Sequence, residues 1–195
     1  MEVPDDNSLD ITTAITIGVW IRGTRVSGAY VVKDDITHRS FTLGANGATH
    51  DIYFQLLGLS PSTALLVDTA SLGDDVWHYI VGTYDGASMR AYLDGQEVGP
   101  LATTGSITAT TVPLRIGARK VGAAIDFQYA GRIDEVRIYN KALTASKIKE
   151  LFSGSTPVPP GQTATVKVLK ELSQGTHTLR LCTASICNTA ILTII

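Results

Sequence analysis

The 195-residue chain has no excess of charge of either sign. It contains 16 lysine and arginine residues against 18 aspartate and glutamate residues, mixed along the sequence, for a formal net charge of -2. Proteins that bind nucleic acid or anionic membranes normally show a basic patch. No apolar run approaches the roughly 20 residues that cross a bilayer, and residues 1–10 lack the basic and apolar regions of a secretion signal. The sequence therefore predicts neither nucleic-acid binding nor membrane insertion.

The chain has only two cysteines, Cys182 and Cys187. Redox and zinc pairs usually have two intervening residues and further Cys or His ligands nearby, a pattern that is absent here. Four residues separate the two cysteines within a predicted hairpin, which permits a disulfide across the turn; two free, small core residues are the alternative. A disulfide would imply an oxidising, extracellular setting.

Short alternating apolar segments, separated by turn residues, dominate the first 140 residues or so. In the clearest of them, Trp77 to Val98, Asp85-Gly86 and Asp94-Gly95 divide three runs rich in β-branched and aromatic residues. Asp-Gly favours the positive φ angles of tight hairpin turns, so a three-stranded meander is predicted there. An all-β sandwich is indicated by further predicted strands at 15–22, 29–33, 40–43, 52–57, 64–67, 112–116 and 133–139.

One short helix is predicted after the sandwich, with Thr144 as its cap and Gly154 as its stop. The segment 154–161 contains three prolines and no core-forming periodicity, which is typical of a stiff linker. About 35 residues of β-rich tail follow, too few for an independent core. The chain is therefore divided into a sandwich (1–153), a Pro/Gly linker (154–162) and a tail (163–195) that is either a partial immunoglobulin-like module or a set of exchanged strands.

Four blocks of the sequence match one known family in order: SLDITTAITIGVWIR (8–22), WHYIVGTYDGASMRAYLDGQEV (77–98), LRIGAR (114–119) and AGRIDEVRIYNKALTASKIKELF (130–152). They resemble the LamG-like (laminin-G type 3) branch of the concanavalin A-like lectin/glucanase superfamily. The resemblance implies a concanavalin A-like β-sandwich, or jelly roll, with one short C-terminal helix. It also implies an extracellular or cell-surface location.

The glucanases of this superfamily need two carboxylates placed across the glycosidic bond. Hydrolytic relatives carry them as E-x-D-x-x-E on one strand, whereas Asp134 and Glu135 are adjacent here and would leave opposite faces of a strand. No local Ser-His-Asp signature is present either. The resemblance without the paired acids predicts a non-catalytic recognition or adhesion module for a carbohydrate or a glycoprotein surface.

Asp134 shares the parity of Val136 and Ile138, which predicts that its carboxylate lies on the inward, apolar side of the strand. A charge there needs hydrogen-bond donors or a Ca²⁺ ion coordinated by oxygens. The resemblance implies calcium, because family members use an acid of this strand together with acids of the opening segment. Two roles are therefore open for Asp134: a metal ligand, or a hydrogen-bonded structural residue.

Ligand contacts are expected on loops, and the candidate loops are 38–39, 46–51 and 120–129, the last of which mixes polar with aromatic character. Sugar sites use such mixtures, and so do ordinary solvated loops. Trp20 and Trp77 are predicted to pack in the interior. The residues predicted to bind a ligand are Arg119, Asp126, Phe127 and Tyr129.

The resemblance also implies an opening strand of the form F-D-G-x-x-D-Y, which precedes a V-P-D segment. Here that segment is Val3-Pro4-Asp5, at the very start of the sequence, so the opening strand is expected to be missing. Without that strand, the edge beside 133–139 would expose unpaired backbone groups. Thr163 to Leu169 alternates strictly and is predicted to pair at a sandwich edge, in its own chain or in a neighbouring copy. The alternative function is therefore a structural subunit of a cell-surface assembly or filament joined by strand exchange.

Overall fold

The computed structural model describes residues 1–24, 27–46, 52–61, 63–68 and 72–154, together with the backbone of three strands beyond them. A 3-10 turn at Asn7–Leu9 and one α-helix, α1 (Ala145–Gly154), accompany the strands. The strands are β1 (Glu2–Val3), β2 (Ile15–Arg22), β3 (Gly28–Asp34), β4 (Arg39–Ala45), β5 (Ile52–Leu56), β6 (Leu59–Ser60), β7 (Ala64–Val67), β8 (His78–Tyr84), β9 (Ser88–Leu93), β10 (Gln96–Ala102), β11 (Thr104–Gly105), β12 (Leu114–Ile116), β13 (Arg119–Val121), β14 (Ala124–Asp126), β15 (Arg132–Tyr139), β16 (Lys167–Val168), β17 (Thr176–Cys182) and β18 (Cys187–Thr193).

Two six-stranded sheets make up the sandwich. Sheet I has the order β1-β12-β3-β4-β5-β7, and sheet II has the order β10-β9-β8-β2-β15-β16. All pairs in these two sheets are antiparallel except β15 with β16. The all-β sandwich with one short helix that the sequence predicts is confirmed.

The core lies between the sheets and follows directly from the period-2 pattern of the strands. In β2 the alternate residues Ile15, Ile17 and Val19 are fully buried, and they belong to one cluster with Leu43 and Phe54 of sheet I. Each fully buried aliphatic or aromatic side chain contributes about 1.5–3 kcal/mol relative to an exposed one. Burial of these alternate apolar residues therefore fixes which face of each strand points into the core.

The predicted meander forms β8, β9 and β10. Asp94 and Gly95 have φ angles of 50° and 78° and connect the paired residues Leu93 and Gln96, as a two-residue hairpin with two positive φ angles requires. The Asp94 carboxylate also accepts the backbone N–H of Tyr79 at 2.8 Å. The turn residues therefore act through the backbone, as their sequence predicts.

Helix α1 covers the outer face of sheet II. Thr144 caps it by accepting the backbone N–H of Lys147 at 3.3 Å. Ile148 is fully buried against an aromatic layer in which Trp20 lies 5.3 Å from Tyr79 and 5.6 Å from Phe152, measured between ring centroids. The predicted helix and the packing role of Trp20 are confirmed; Trp77 lies partly buried at the margin of the same cluster.

The tail contributes a strand to sheet II. Lys167–Val168 (β16) pairs in parallel with β15 of the same chain, next to Arg137 and Ile138. The prediction that a tail strand hydrogen-bonds to the edge of a sandwich is confirmed for these two residues, whereas 163–166 and 169 lie outside the described residues. The β17–β18 pairing places Cys182 opposite Cys187 in the backbone register; the disulfide between them stays a prediction.

Asp134 is buried, with 5% of its surface exposed, but on the face opposite to the predicted one. Asp134 pairs with Trp20 and Arg137 pairs with Gly18, so β15 has one residue more than β2 between these pairs. The extra residue makes a β-bulge at Glu135, whose φ of 49° lies in the left-handed region. The bulge interrupts the alternation of side chains between the two faces of the strand, on which the prediction for Asp134 relied. Directly opposed residues share a face, so Asp134 lies with Trp20 on the outer face. The predicted inward position is therefore wrong.

Candidate functional site

The outer face of sheet I is polar, in contrast to the face that points into the core. Arg115, Val32, Thr42 and Gln55 are directly opposed across β12, β3, β4 and β5, so they form one row on one face. The neighbouring row, which contains Val31, belongs to the core. Because successive residues alternate between faces, the row of Arg115 faces away from the core. We call this outer surface, with the flanking Asp34 and Arg39, the polar face.

One half of the polar face is a satisfied hydrogen-bonded network. Arg39 donates from Nε to Asp34 Oδ2 at 2.7 Å and from Nη2 to Gln55 Oε1. Burial raises the pKa of Tyr53, while the charges of Arg39 and Arg119 act in the opposite direction. These paired charges fix the surface rather than leave it free to bind.

Buried polar atoms that have no hydrogen-bond partner among the described residues lie on β4, β12 and β13. They include Nη1 of Arg115, Nε of Arg119 and the hydroxyls of Ser40 and Thr42. A buried donor without a partner costs about 1–3 kcal/mol, and a cluster of such groups in a native protein calls for an explanation. Each of these atoms is closed to solvent in this structure, so a ligand would reach it only if neighbouring side chains moved.

A cavity of about 260 Å³ opens at this surface. Its walls are the β3–β4 turn (Asp35, Ile36 and Thr37), Arg115 of β12, and the β13–β14 hairpin at Lys120, Val121 and Gly122. Ligand pockets for drug-sized molecules span about 300–1,000 Å³. The smaller volume suits a single ring with polar substituents.

The β3–β4 turn is held tightly in place. Asp35 accepts the backbone N–H groups of Thr37 and His38 at 3.0 and 2.6 Å and the Thr37 hydroxyl at 2.9 Å. Desolvation acts to raise the pKa of Asp35, but these hydrogen bonds outweigh it and lower the pKa to about 2. Asp35 is therefore ionised at physiological pH, with its Oδ1 engaged by three donors of its own turn.

Ile36, at the tip of this turn, has a φ of 78° and is 46% exposed. A β-branched residue in the left-handed region is a genuine outlier, and backbone strain of this kind concentrates at ligand-binding sites. Its N–H donates to Asp34 Oδ1 at 2.5 Å, which helps to hold the conformation. An apolar side chain is thus presented to the cavity beside charged groups.

Three of the four sequence-predicted ligand residues lie together on the β13–β14 hairpin. Arg119 and Asp126 are paired in register, with Nη2 and Oδ2 3.6 Å apart, and Arg119 Cζ lies 4.2 Å from the ring centroid of Phe127. Phe127 is 49% exposed with a φ of 48°. The hairpin therefore presents an aromatic ring backed by a guanidinium group; that it contacts a ligand stays a prediction.

Tyr129, the fourth predicted residue, turns inward. Its ring packs edge-to-face on Tyr30 with 4.9 Å between centroids, and its hydroxyl is buried without a partner among the described residues. Burial, followed by the charge of Asp75, raises the pKa of Tyr129 to about 12. The geometry gives Tyr129 a packing role between the hairpin and β3.

Arg115, Lys120 and Ile36 were not singled out by the sequence, although Lys120 lies within one predicted loop. Arg115 stands between the core residues Leu114 and Ile116. Because successive residues of a strand point to opposite faces, the position of Arg115 between two apolar residues indicates a cation that points away from the core. The left-handed backbone of Ile36 has no such signal, because no glycine or asparagine marks it.

A second, more open cavity of about 510 Å³ lies on the other side of the β3–β4 turn. Thr37 lines both cavities. The second cavity is further lined by His38, Arg39, Leu57, Gly58 and the segment Thr108, Ala109, Thr110 and Thr111.

The acids of the opening segment are engaged by a lysine. Lys33, whose side chain is fully buried, places Nζ 2.7 Å from Asp5 Oδ1 and 3.0 Å from Asp10 Oδ1. The Thr110 carbonyl accepts a third hydrogen bond from the same ammonium. A buried ammonium has three donors, and here all three are used.

The residues around Asp134 do not fit the calcium ion that the resemblance implies. Asp134 Oδ1 accepts the Glu135 N–H at 2.8 Å, and the opening-segment acids Asp5 and Asp10 belong to Lys33. Within the described ranges, no group of three or more Asp, Glu, His or Cys side chains is arranged to hold a metal. Calcium binding through Asp134 stays a prediction.

No helix in the described part of the chain is both long and apolar enough to span a bilayer. Over 153 residues, 73% of this chain, the sequence is 24% identical to adhesion G-protein coupled receptor V1 of Danio rerio, and it spans 2% of that receptor.

Two solved structures show the same fold. The binding domain of Paraclostridial mosquitocidal protein 1 aligns with a TM-score of 0.62 at 16% identity, over 78% of this chain and 40% of that chain. The CBM40 of a Ruminococcus gnavus sialidase, solved with α2,3-sialyllactose, aligns with a TM-score of 0.60 at 13% identity, over 75% of this chain and 86% of that one. The laminin-G type 3 family model matches residues 1–149. The chain therefore belongs to this family, within the concanavalin A-like lectin/glucanases superfamily.

Proposed function

We propose that this protein is an extracellular, non-catalytic carbohydrate-recognition module whose ligand binds on the polar face of sheet I. The observation that carries this proposal is the 260 Å³ cavity, which is lined by the polar side chains of Arg115, Lys120 and Thr37 beside the apolar Ile36 and Val121. Sugar rings combine hydroxyls that donate and accept hydrogen bonds with apolar C–H surface, and they suit such a mixed lining. Extracellular location, and binding to a glycoprotein surface, rest on family membership and on lectin-like neighbours such as the sialyllactose-bound CBM40.

The residues on the polar face suit recognition better than hydrolysis. Glycoside hydrolysis needs two carboxyl groups about 5–9.5 Å apart and free to act on the substrate. Asp34 is fully buried and bonded to Arg39, and Asp35 is held by its own turn. Asp34 and Asp35 therefore have positioning roles.

Array binding followed by titration calorimetry of the whole chain tests the proposal. We expect binding to at least one oligosaccharide, weakened by Thr37→Val, because Thr37 lines both cavities. Thr16→Val is the control, since Thr16 is buried on the opposite sheet and should leave binding unchanged. Repeating the titration with Ca²⁺ and with chelator tests calcium dependence. Absence of binding to every glycan under both conditions would reject the function.

The alternative function, a filament subunit joined by strand exchange, has no specific contact in its favour. The edge that would receive a neighbour's strand is paired with β16 of the same chain. Self-association stays a prediction, and light scattering across a concentration series would test it.

A further inference from the structure

We propose that the cavity selects an anionic saccharide, and that the carboxylate or sulfate of one sugar ring binds between Arg115 and Lys120. This inference rests on the proposed function and adds the chemical class of the ligand. It starts from one largely buried cation that lines the cavity: Arg115, which is 8% exposed.

Arg115 is only partly neutralised within the chain. Its Nε donates to Glu2 Oε2 at 2.9 Å, while 52% of the Glu2 side chain is exposed to solvent. Such a half-exposed ion pair contributes little energy. The Arg115 guanidinium has further N–H donors besides Nε. Its planar arrangement matches two oxygens of one carboxylate or sulfate group.

Lys120 supplies the second cation. It lines the same cavity from the β13–β14 hairpin and forms no ion pair with a described residue. The one acid in the cavity wall, Asp35, accepts three hydrogen bonds from Thr37 and His38 at its Oδ1. Its single negative charge is outnumbered in this wall by the charges of Arg115 and Lys120.

The remaining walls suit a sugar ring rather than a free ion. Ile36 and Val121 add apolar surface, and Thr37 adds a hydroxyl. Apolar walls with a few convergent polar groups are characteristic of small-molecule sites. Ile36 is held in this wall in a left-handed conformation that a surface turn would otherwise avoid.

The test uses the whole chain on an array that carries neutral, carboxylated and sulfated glycans. We expect the strongest ligands to be acidic. The best carboxylated ligand is then compared with its methyl ester, and the best sulfated ligand with its desulfated form. Loss of at least tenfold in affinity on removing the charge identifies which oxyanion the cavity accepts. Affinity should also fall as salt is raised, because the contact is ionic.

Arg115→Met is the matched variant, because it keeps the aliphatic stem and removes the guanidinium. We expect at least a tenfold loss of affinity for the acidic ligand, and a melting temperature within about 4 °C of the parent protein. Arg90→Met is the control: it removes the same charge from sheet II, where Arg90 is bonded to Asp85, and should leave affinity unchanged. Lys120→Gln should weaken the acidic ligand but not its neutral derivative.

The outcomes separate the two proposals. Binding of neutral glycans that Arg115→Met does not weaken would overturn the anionic inference and leave a carbohydrate-binding function in place. No glycan binding at all would overturn both. Equal affinity for an acidic ligand and its uncharged derivative would also overturn the inference, even if Arg115→Met weakened both.

Discussion

The outer faces of the two sheets are built on the same strand architecture and have opposite chemistry. The outer face of sheet II is closed by α1, with Trp20, Tyr79, Phe152 and the fully buried Ile148 in contact. The polar face of sheet I is bordered by the β3–β4 turn and the β13–β14 hairpin and contains a cavity lined by Arg115, Lys120 and Asp35. One face therefore stabilises the sandwich, and the other carries the features of a binding site.

A second contrast lies within sheet I, between two buried cations. Lys33 has three oxygen partners and no unmet donor, whereas Arg115 lines the cavity and has one acidic partner among the described residues. The fully satisfied charge holds two segments together, and in our proposal the charge with fewer partners serves a ligand. Burial alone does not distinguish structural from functional charges; the count of partners does.

The largest expected effect is on the Lys33 site. Replacing both acids, Asp5→Ala with Asp10→Ala, leaves a fully buried ammonium with only the Thr110 carbonyl. Breaking a buried pair from one side costs about 3–5 kcal/mol, and we expect a loss of this size in the free energy of unfolding, measured by urea denaturation. The double Asn variant, which keeps oxygen acceptors without charge, should lose less. A loss below 1 kcal/mol in the double Ala variant would contradict the structural role of Lys33.

The next effect tests the closed face. Ile148→Ala removes the fully buried side chain of α1 from the aromatic layer. Cavity-forming Ile→Ala changes cost about 2–5 kcal/mol, and we expect about 2–4 here because a short helix can settle onto the sheet. The affinity for a glycan should not change, as calorimetry on the folded variant would show. A coupled loss of affinity would mean that the two faces are not independent.

The sequence predicts the strands better than the site, for a physical reason. Ile15–Arg22 and Ala64–Val67 match their predicted bounds, because period-2 burial and turn residues are local signals. Asp134 fails because one bulged residue at Glu135 reverses parity, and nothing local announces a bulge. The pairing of Arg119 with Phe127 follows from a short hairpin, whereas the approach of Asp35 to Lys120 joins distant segments.

A smaller effect tests the strain at the cavity. Ile36→Asn places a residue that tolerates the left-handed region where a β-branched residue now stands. We expect the free energy of unfolding to rise by about 0.5–1 kcal/mol, while glycan affinity falls because an apolar wall is lost. Ile125→Asn is the control: Ile125 is 62% exposed, on a strand of the same hairpin that borders the cavity, without a positive φ. A gain in stability at both positions would point to surface hydrophobicity instead of strain.

The smallest expected effect is that of Tyr129→Phe, which tests whether the Tyr129 hydroxyl has a role in packing or in ligand binding. The Tyr129 hydroxyl is buried without a partner among the described residues, and its ring packs on Tyr30. Tyr129→Phe keeps the ring contact and removes a desolvated group, so we expect a change in unfolding free energy between zero and a gain of about 1 kcal/mol. Glycan affinity should stay within twofold of the parent value, in contrast to Arg115→Met. A loss of affinity in Tyr129→Phe with unchanged stability would show that the hydroxyl reaches the ligand, and the binding surface would then extend from the cavity to the inner end of the β13–β14 hairpin.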